Sequence, residues 1–393
     1  MADASASYQG VALIAPVTVP YCRTSEHGAA WFIGRALAGM LREIGQEKSA
    51  VDGLMVSSFT LGPDSISSLA DHFGMELGWL EQIPLGGASG VIAMRHAARA
   101  IQAGDAEVIA CIGGDTAKDG SFADLAANFS NFSIDAAYPY GAAGPNGVFS
   151  LITQHYMDRY GTQREDFGRV AIAQRYNANH YPDALFHDKQ LDMQAYLDAP
   201  SIAGPVHLYD CVMPCAGADG FLVTSVERAQ SFGLPFVEIL ASAERHNAFA
   251  TDPVHCRGGW ARFRESLYEL SGVGPGDMQF LQTYDDYPVI SMLQMEGLGF
   301  CEPGEATRFV RDTELTFDGG GLPHNTSGGQ LSVGQAGSAG GYLGLVEAIR
   351  QLTQRAEGNQ VPGARLGMVS GYGMVNYDRG LCATAAILRR GGQ

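Results

Sequence analysis

One pattern, present twice, constrains this chain more than any other. A Gly-rich loop leads into a helix crowded with small residues, and an apolar strand ending in Gly follows. In the first half this reads GGASGVIAMRHAARAIQAG and then EVIACIGGD; in the second, NTSGGQLSVGQAGSAGGYLGLVEAIRQLTQRA and then RLGMVSGYGM. Strands that are apolar on both faces must be covered on both sides, so the pattern predicts α/β layers with helices packed over sheet. Repeated in the same order, it predicts two related α/β halves, at 1–255 and 256–393. Around it, VALIAP, VDGLMVSS and WLEQIPLG read as strands, and AAWFIGRALAGMLREIG and SISSLADHFG as helices. Residues 118–205 break the rhythm. They are rich in Asn, Tyr, Asp and Pro, carry helical pieces such as FSLITQHYMDRYG and REDFGRVAIAQRYNANHY, and read as an insertion in the first half. The rhythm resumes with GADGFLVTS and PFVEILASAERHN, and later MQFLQTYDDY reads as a strand before the helix VISMLQMEGLGF.

Bulk properties narrow the function. The chain has 393 residues, 46% of them hydrophobic, and single cores stop growing near ~250–300 residues, so more than one core is expected. The formal net charge of −17, from 42 acidic against 25 basic residues, argues against a phosphate backbone or an anionic membrane surface as partner. No run approaches the ~18–20 apolar residues of a membrane span. The N-terminal segment has no basic stretch of the kind that opens a secretory signal. Seven scattered cysteines, an odd number, suit a reducing cytoplasm and free thiols. Cys211 and Cys215, in DCVMPC, have no second pair or His set to complete a zinc tetrahedron, and no metal is expected.

The two Gly/Ser-rich helix starts resemble those of the thiolase superfamily. GASGVIAMRHAARAIQAGDAEVIACIGGD is similar to the family's nucleophile helix and following strand, and LYDCVMPCAGADGFLVTS to the strand closing its N-terminal half. TYDDYPVISMLQMEGLGFCEPGEA followed by NTSGGQLSVGQAGSAGG resembles the sterol-carrier-protein-x branch and its related acyl-CoA side-chain aldolases. The resemblance covers nearly the whole chain. It implies a five-layered αβαβα fold, a coenzyme A thioester as substrate with no bound cofactor, a homodimer, and a small zinc-ribbon/OB-fold partner protein.

The departures from the family pattern bear on chemistry. Gly87, ahead of Ala88, Ser89 and Gly90, stands where the resemblance implies a nucleophilic Cys. The Gly-His-Pro motif reads Gly334-Gln335-Ala336, and the acid/base Cys of a strand-end turn falls in Val369-Ser370-Gly371-Tyr372-Gly373. Tyr284, in Tyr284-Asp285-Asp286-Tyr287, replaces the family's Asn or His. Side-chain-cleaving aldolases of the superfamily also lack the Cys and carry a Tyr at the position of Tyr284. They have a second Tyr about where Gln335 stands, so that half of their apparatus does not carry over.

Without a thiolate, no acyl group can be parked on the protein between half-reactions. A retro-aldol cleavage of a β-hydroxyacyl-CoA asks for less: a proton acceptor for the hydroxyl and donors aimed at the thioester oxygen. The candidate base is Tyr284, Asp285 or Tyr372, with Tyr284 acting as donor if Asp285 is the base. A phenol of ordinary pKa (~10) is a weak base at neutral pH. Backbone N–H groups at the start of the helix, from Gly87, Ala88 and Ser89, are candidates for the oxyanion, since helix N-termini favour negative charge. Ser89 more readily caps the helix than attacks. Gln335 and Asn325 are candidate amide donors to the thioester, His324 beside Asn325 is a further site candidate, and Gly87 is expected to leave room for a bulky substrate. Phe129, Phe132, Tyr138 and Tyr140 are candidates to line an apolar pocket. Asp115 is expected to fix a loop at the junction of the halves. Two other readings stay open: an acyltransferase or Claisen-type enzyme with a different nucleophile, and a catalytically silent thiolase-like subunit of a complex.

Overall fold

A computed structural model of the chain describes residues 7–392 apart from 129, 143 and 378. Eleven strands are formed: β1 (Val11–Cys22), β2 (Gly53–Ser57), β3 (Trp79–Gln82), β4 (Val108–Asp115), β5 (Ser201–Ala203), β6 (Val206–His207), β7 (Ala216–Ser225), β8 (Val237–His246), β9 (Leu281–Gln282), β10 (Leu366–Asn376) and β11 (Arg379–Arg390). The helices of the first half are α1 (Ala29–Ile44), α2 (Ile66–Phe73) and α3 (Ser89–Ala103). Those of the inserted region are α4 (Ser121–Ala127), α5 (Asn131–Ile134), α6 (Gly144–Tyr160), α7 (Arg164–Ala178) and α8 (Met193–Leu197), followed by α9 (Val226–Ser231). The second half adds α10 (Trp260–Ser271), α11 (Pro288–Gly297), α12 (Ala306–Asp312), α13 (Gly329–Val333) and α14 (Gly340–Leu352).

Nine strands form one mixed sheet, ordered β3-β2-β4-β7-β1-β8-β11-β10-β9. The pairs β2–β3, β2–β4 and β9–β10 are parallel, and the other pairs are antiparallel. The two repeats of the sequence pattern become α3 and α14. These helices pack on each other and on strands from both ends of the sheet, because their small residues (Ala93, Ala97, Ala98 and Ala348, all fully buried) let backbones come close. The sheet therefore wraps a central helix pair. It is joined across the middle only by the short β1–β8 contact, Ala12 with Glu238 and Leu13 with Val237. With α1 on the outer face of the first half and α10 on that of the second, the layers are αβαβα, as the resemblance implied. One core cluster spans the two spaces around the central helix pair, and one more lies on the outer face of each half.

The strand β8 runs with β11 from Val237 to His246 and meets β1 at its start, so it is the strand that bridges the two halves. One detail differs from the sequence reading. The segment MQFLQTYDDY contributes only Leu281–Gln282 to the ladder. From Thr283 onward side chains take the backbone amides: Thr283 N–H donates to Asn325 Oδ1 at 2.7 Å and Tyr284 N–H to Gln294 Oε1 at 3.2 Å. The chain thereby leaves the sheet and turns into α11, whose Pro288 suits a first helical turn. That turn carries Tyr284 to Tyr287. No helix among the described residues is long and apolar enough to cross a membrane.

Candidate active site

A cavity of about 320 Å³ opens where three things meet: the start of α3, the 283–287 turn, and the inserted region. Its wall includes Gly86 and Gly87 from the loop before α3, Tyr284, Asp286 and Tyr287 from the turn, and Gln335, Tyr372 and Met374 from the second half. The insertion contributes Asn146 and Phe149 from α6, with Cys211 and Cys215 from the segment before β7. Asp115 stitches the halves together at one side. Its Oδ1 accepts from Ser58 Oγ, from the Phe59 and Thr60 amides and from Thr60 Oγ1, while Oδ2 accepts from Ser338 N–H at 2.7 Å.

Gly87 and Tyr284 explain each other. A Cβ added to Gly87 would fall inside the van der Waals surface of the Tyr284 ring. The space expected for a bulky substrate is filled by this tyrosine, and a nucleophile side chain at residue 87 would have to displace it. The phenol is pinned. Its O–H donates to Asp286 Oδ2 at 2.7 Å, and Gln335 Nε2 donates to the phenol oxygen at 3.0 Å and to Asp286 Oδ1 at 2.7 Å.

Electrostatics separates the roles within this cluster. Burial, then the nearby Asp286, pushes the Tyr284 phenol well above its ordinary pKa, so it stays protonated and acts as a donor or proton relay rather than as a base. Burial raises Asp286 to about 7 against the lowering effect of the Tyr284 hydrogen bond, and Asp285 raises it further. A carboxylate that titrates near neutrality is what general-base catalysis needs. The sequence reading named Asp286 only as part of the Tyr284-Asp285-Asp286-Tyr287 segment. Its signal was there, as one of two adjacent acids, but the backbone turn decides which of the two faces the cavity.

Asp285 faces the other way. Its carboxylate accepts from the Gln330 and Leu331 amides at 3.0 and 3.3 Å, holding the start of α13, and it is fully buried off the cavity wall. Burial raises Asp285 as well, to about 6, but Asp286 is the acid on the cavity wall and so the better-placed candidate base. Tyr372 does reach the wall, but its oxygen accepts from Gly380 N–H at 2.7 Å and its ring packs against Trp260 and Phe149.

The other expected residues brace the site from behind. Ala88 is buried and its amide donates to Leu85 C=O at 3.2 Å. Ser89 Oγ accepts from Leu85 N–H and donates to Ile83 C=O, so it ties down the loop before α3. His324 is fully buried against Thr283 Oγ1 at 2.8 Å, and burial lowers it to about 3, which keeps it neutral. Asn325 spends its carbonyl oxygen on Thr283 N–H. Of the aromatic residues expected to line the pocket, Phe132 and Tyr140 are 74% and 87% exposed, Tyr138 is off the wall, and Phe129 lies outside the described residues. The aromatic lining comes instead from Phe59, Phe149 and Tyr287. All seven cysteines are free. Burial pushes the Cys211 thiol up to about 12 and that of Cys215 well above the ordinary value, so neither pocket thiol is an activated nucleophile.

Residues 241–388 match the thiolase C-terminal domain-like family. A steroid side-chain-cleaving aldolase of Thermomonospora curvata is 31% identical over 330 residues, covering 80% of this chain and 83% of that protein. The chain belongs to the thiolase superfamily. A second relative is the 17-hydroxy-3-oxo-4-pregnene-20-carboxyl-CoA lyase of Mycobacterium tuberculosis, 30% identical over 332 residues, or 81% of this chain and 84% of that one. Among solved structures, an Ltp2-ChsH2(DUF35) aldolase superposes with a TM-score of 0.82 at 26% identity, covering 97% of this chain and 98% of that one. This thiolase-fold chain is thus similar to a steroid side-chain-cleaving aldolase, a carboxyl-CoA lyase and an Ltp2-ChsH2(DUF35) aldolase.

Proposed function

We propose that the protein is an acyl-CoA carbon–carbon lyase that cleaves a β-hydroxyacyl-CoA by retro-aldol chemistry, with no acyl-enzyme. The observation that carries this is the Asp286–Tyr284–Gln335 cluster standing where a nucleophilic side chain at residue 87 would have to be. The substrate hydroxyl gives its proton to Asp286, directly or through Tyr284, whose own proton passes to Asp286 as the phenol takes the new one. The Cα–Cβ bond breaks, the β carbon becomes a ketone or aldehyde, and the electron pair moves into a thioester enolate. The proton held by Asp286 then returns to Cα, releasing the shortened acyl-CoA. Gln335 orients the two acidic groups throughout. The names of the relatives support this reaction class and a coenzyme A thioester as substrate. The solved aldolase complex supports a small partner protein. A homodimer is proposed from the fold family alone.

The test is carbonyl release from a panel of β-hydroxyacyl-CoA esters without free CoA, with and without a small zinc-ribbon partner. Tyr284→Phe and Asp286→Asn are each expected to cut turnover at least about 10²-fold. Unchanged turnover in both variants, or cleavage only of β-ketoacyl-CoA with added CoA, would contradict the proposal.

A further inference from the structure

An enolate must be stabilised where it forms, and Gln335, one of the donors expected for it, is already committed. An amide group has two N–H bonds, and Gln335 spends both of them, on the Tyr284 oxygen and on Asp286 Oδ1. None is left for a thioester. The other amide on the cavity wall is Asn146, in the first turn of α6. Its Oδ1 accepts from Tyr287 O–H at 2.5 Å; the Cys211 thiol lies 3.8 Å away, with its nearer acceptor the His207 carbonyl at 3.5 Å. Tyr287 is itself fixed by stacking on Phe149, with ring centroids 4.4 Å apart. The Tyr287 hydroxyl on Oδ1 sets which way the carboxamide faces, and its Nδ2 has no protein acceptor among the described residues. We infer that Asn146 is the donor to the thioester oxygen, aimed by Tyr287. The site then works as two groups on one cavity: Asp286 with Tyr284 and Gln335 handle the β-hydroxyl proton, and Asn146 from the inserted region binds the oxygen on which the enolate charge develops. Catalysis by such a donor comes from strengthening its hydrogen bond as charge builds.

The inference depends on the lyase reading for its kinetics but not for its binding geometry, and the experiment separates the two. Butyryl-CoA labelled with ¹³C at the carbonyl has no β-hydroxyl and is not cleaved. Its carbonyl stretch, read by infrared difference spectroscopy on the protein, reports the hydrogen bond directly. The bound carbonyl is expected at lower frequency in the wild type than in Asn146→Ala and Asn146→Ser, with Tyr287→Phe intermediate. With a cleavable β-hydroxyacyl-CoA, Asn146→Ala is expected to lower kcat about 10²–10³-fold with KM little changed. A carbonyl band at the same frequency in wild type and both Asn146 variants overturns the assignment. If the band moves as expected while wild type cleaves nothing, Asn146 is the donor and it is the lyase reading that fails. The Ser variant, which keeps a small polar side chain, guards against an Ala variant that folds poorly.

Discussion

At the scale of single residues, two adjacent acids have opposite jobs. Asp285 satisfies the first amides of α13 and Asp286 faces the cavity with Tyr284 and Gln335. Burial raises Asp285 to about 6 against its hydrogen-bond donors and Asp286 to about 7; of the two only Asp286 lines the cavity, so the titration linked to turnover is assigned to Asp286. Turnover is expected to rise with pH along an acidic limb centred near 7, and Asp286→Asn should abolish both the limb and most of the rate. A pH–kcat profile checks this; a limb near the ordinary carboxylate value of ~4 would contradict it. Stability carries the same signature with a definite sign. The folded Asp286 holds its proton up to about 7, whereas the unfolded chain gives it up near ~4, so between these values the folded state binds more protons. This group's contribution should therefore make the protein less stable as pH rises from ~4 to 7 and level off above. Asp286→Asn should remove that part of the slope in urea unfolding.

At the scale of elements, the site is made by the approach of the α3 N-terminus to the 283–287 turn, which meet where the Tyr284 ring covers Gly87. Restoring a thiol here is expected to fail as a single change. Gly87→Cys should destabilise the fold by about 1–3 kcal/mol through overpacking and abolish lyase turnover, and Gly87→Cys with Tyr284→Ala should recover most of the lost stability. Thermal melting of the two variants checks this; a fully stable Gly87→Cys would show that the ring yields freely. The sequence made α3 and α14 legible because their small-residue faces and Gly-rich starts have a period that needs no partner to be read. It could not show the end of β9, where Asn325 and Gln294 side chains take amides from the ladder, since those residues lie far away in the chain. Of the residues proposed from the sequence, Tyr284, Gln335 and Tyr372 line the cavity with Gly87, whereas His324, Asn325 and Ser89 do not. Asn146 sits in an inserted region whose pattern carries no family signature, and Tyr287 ends a turn in which the sequence reading singled out only Tyr284 and Asp285.

At the scale of the whole molecule, one sheet and one shared helix pair make the two halves mechanically a unit. Neither sheet end can expose its inner face without stripping α3 and α14, so unfolding is expected as one cooperative transition. Ile92→Ala, in the buried face of α3, should cost about 2–5 kcal/mol and shift that single transition without splitting it. Two separated calorimetric transitions would show that the halves are independent. The resemblance implied a nucleophile at the head of α3; here the Tyr284 ring covers Gly87 at that place, and both pocket thiols are kept protonated by burial. The claim that joins these observations is that carbon–carbon cleavage proceeds without acylating the protein. Rapid quenching during turnover of a β-hydroxyacyl-CoA, followed by intact-protein mass measurement and peptide mapping, tests it most directly. The account predicts unmodified protein at every time point while carbonyl product accumulates. An acyl adduct on Cys211, Cys215, Ser89 or any other side chain, forming and decaying at the rate of turnover, would contradict it.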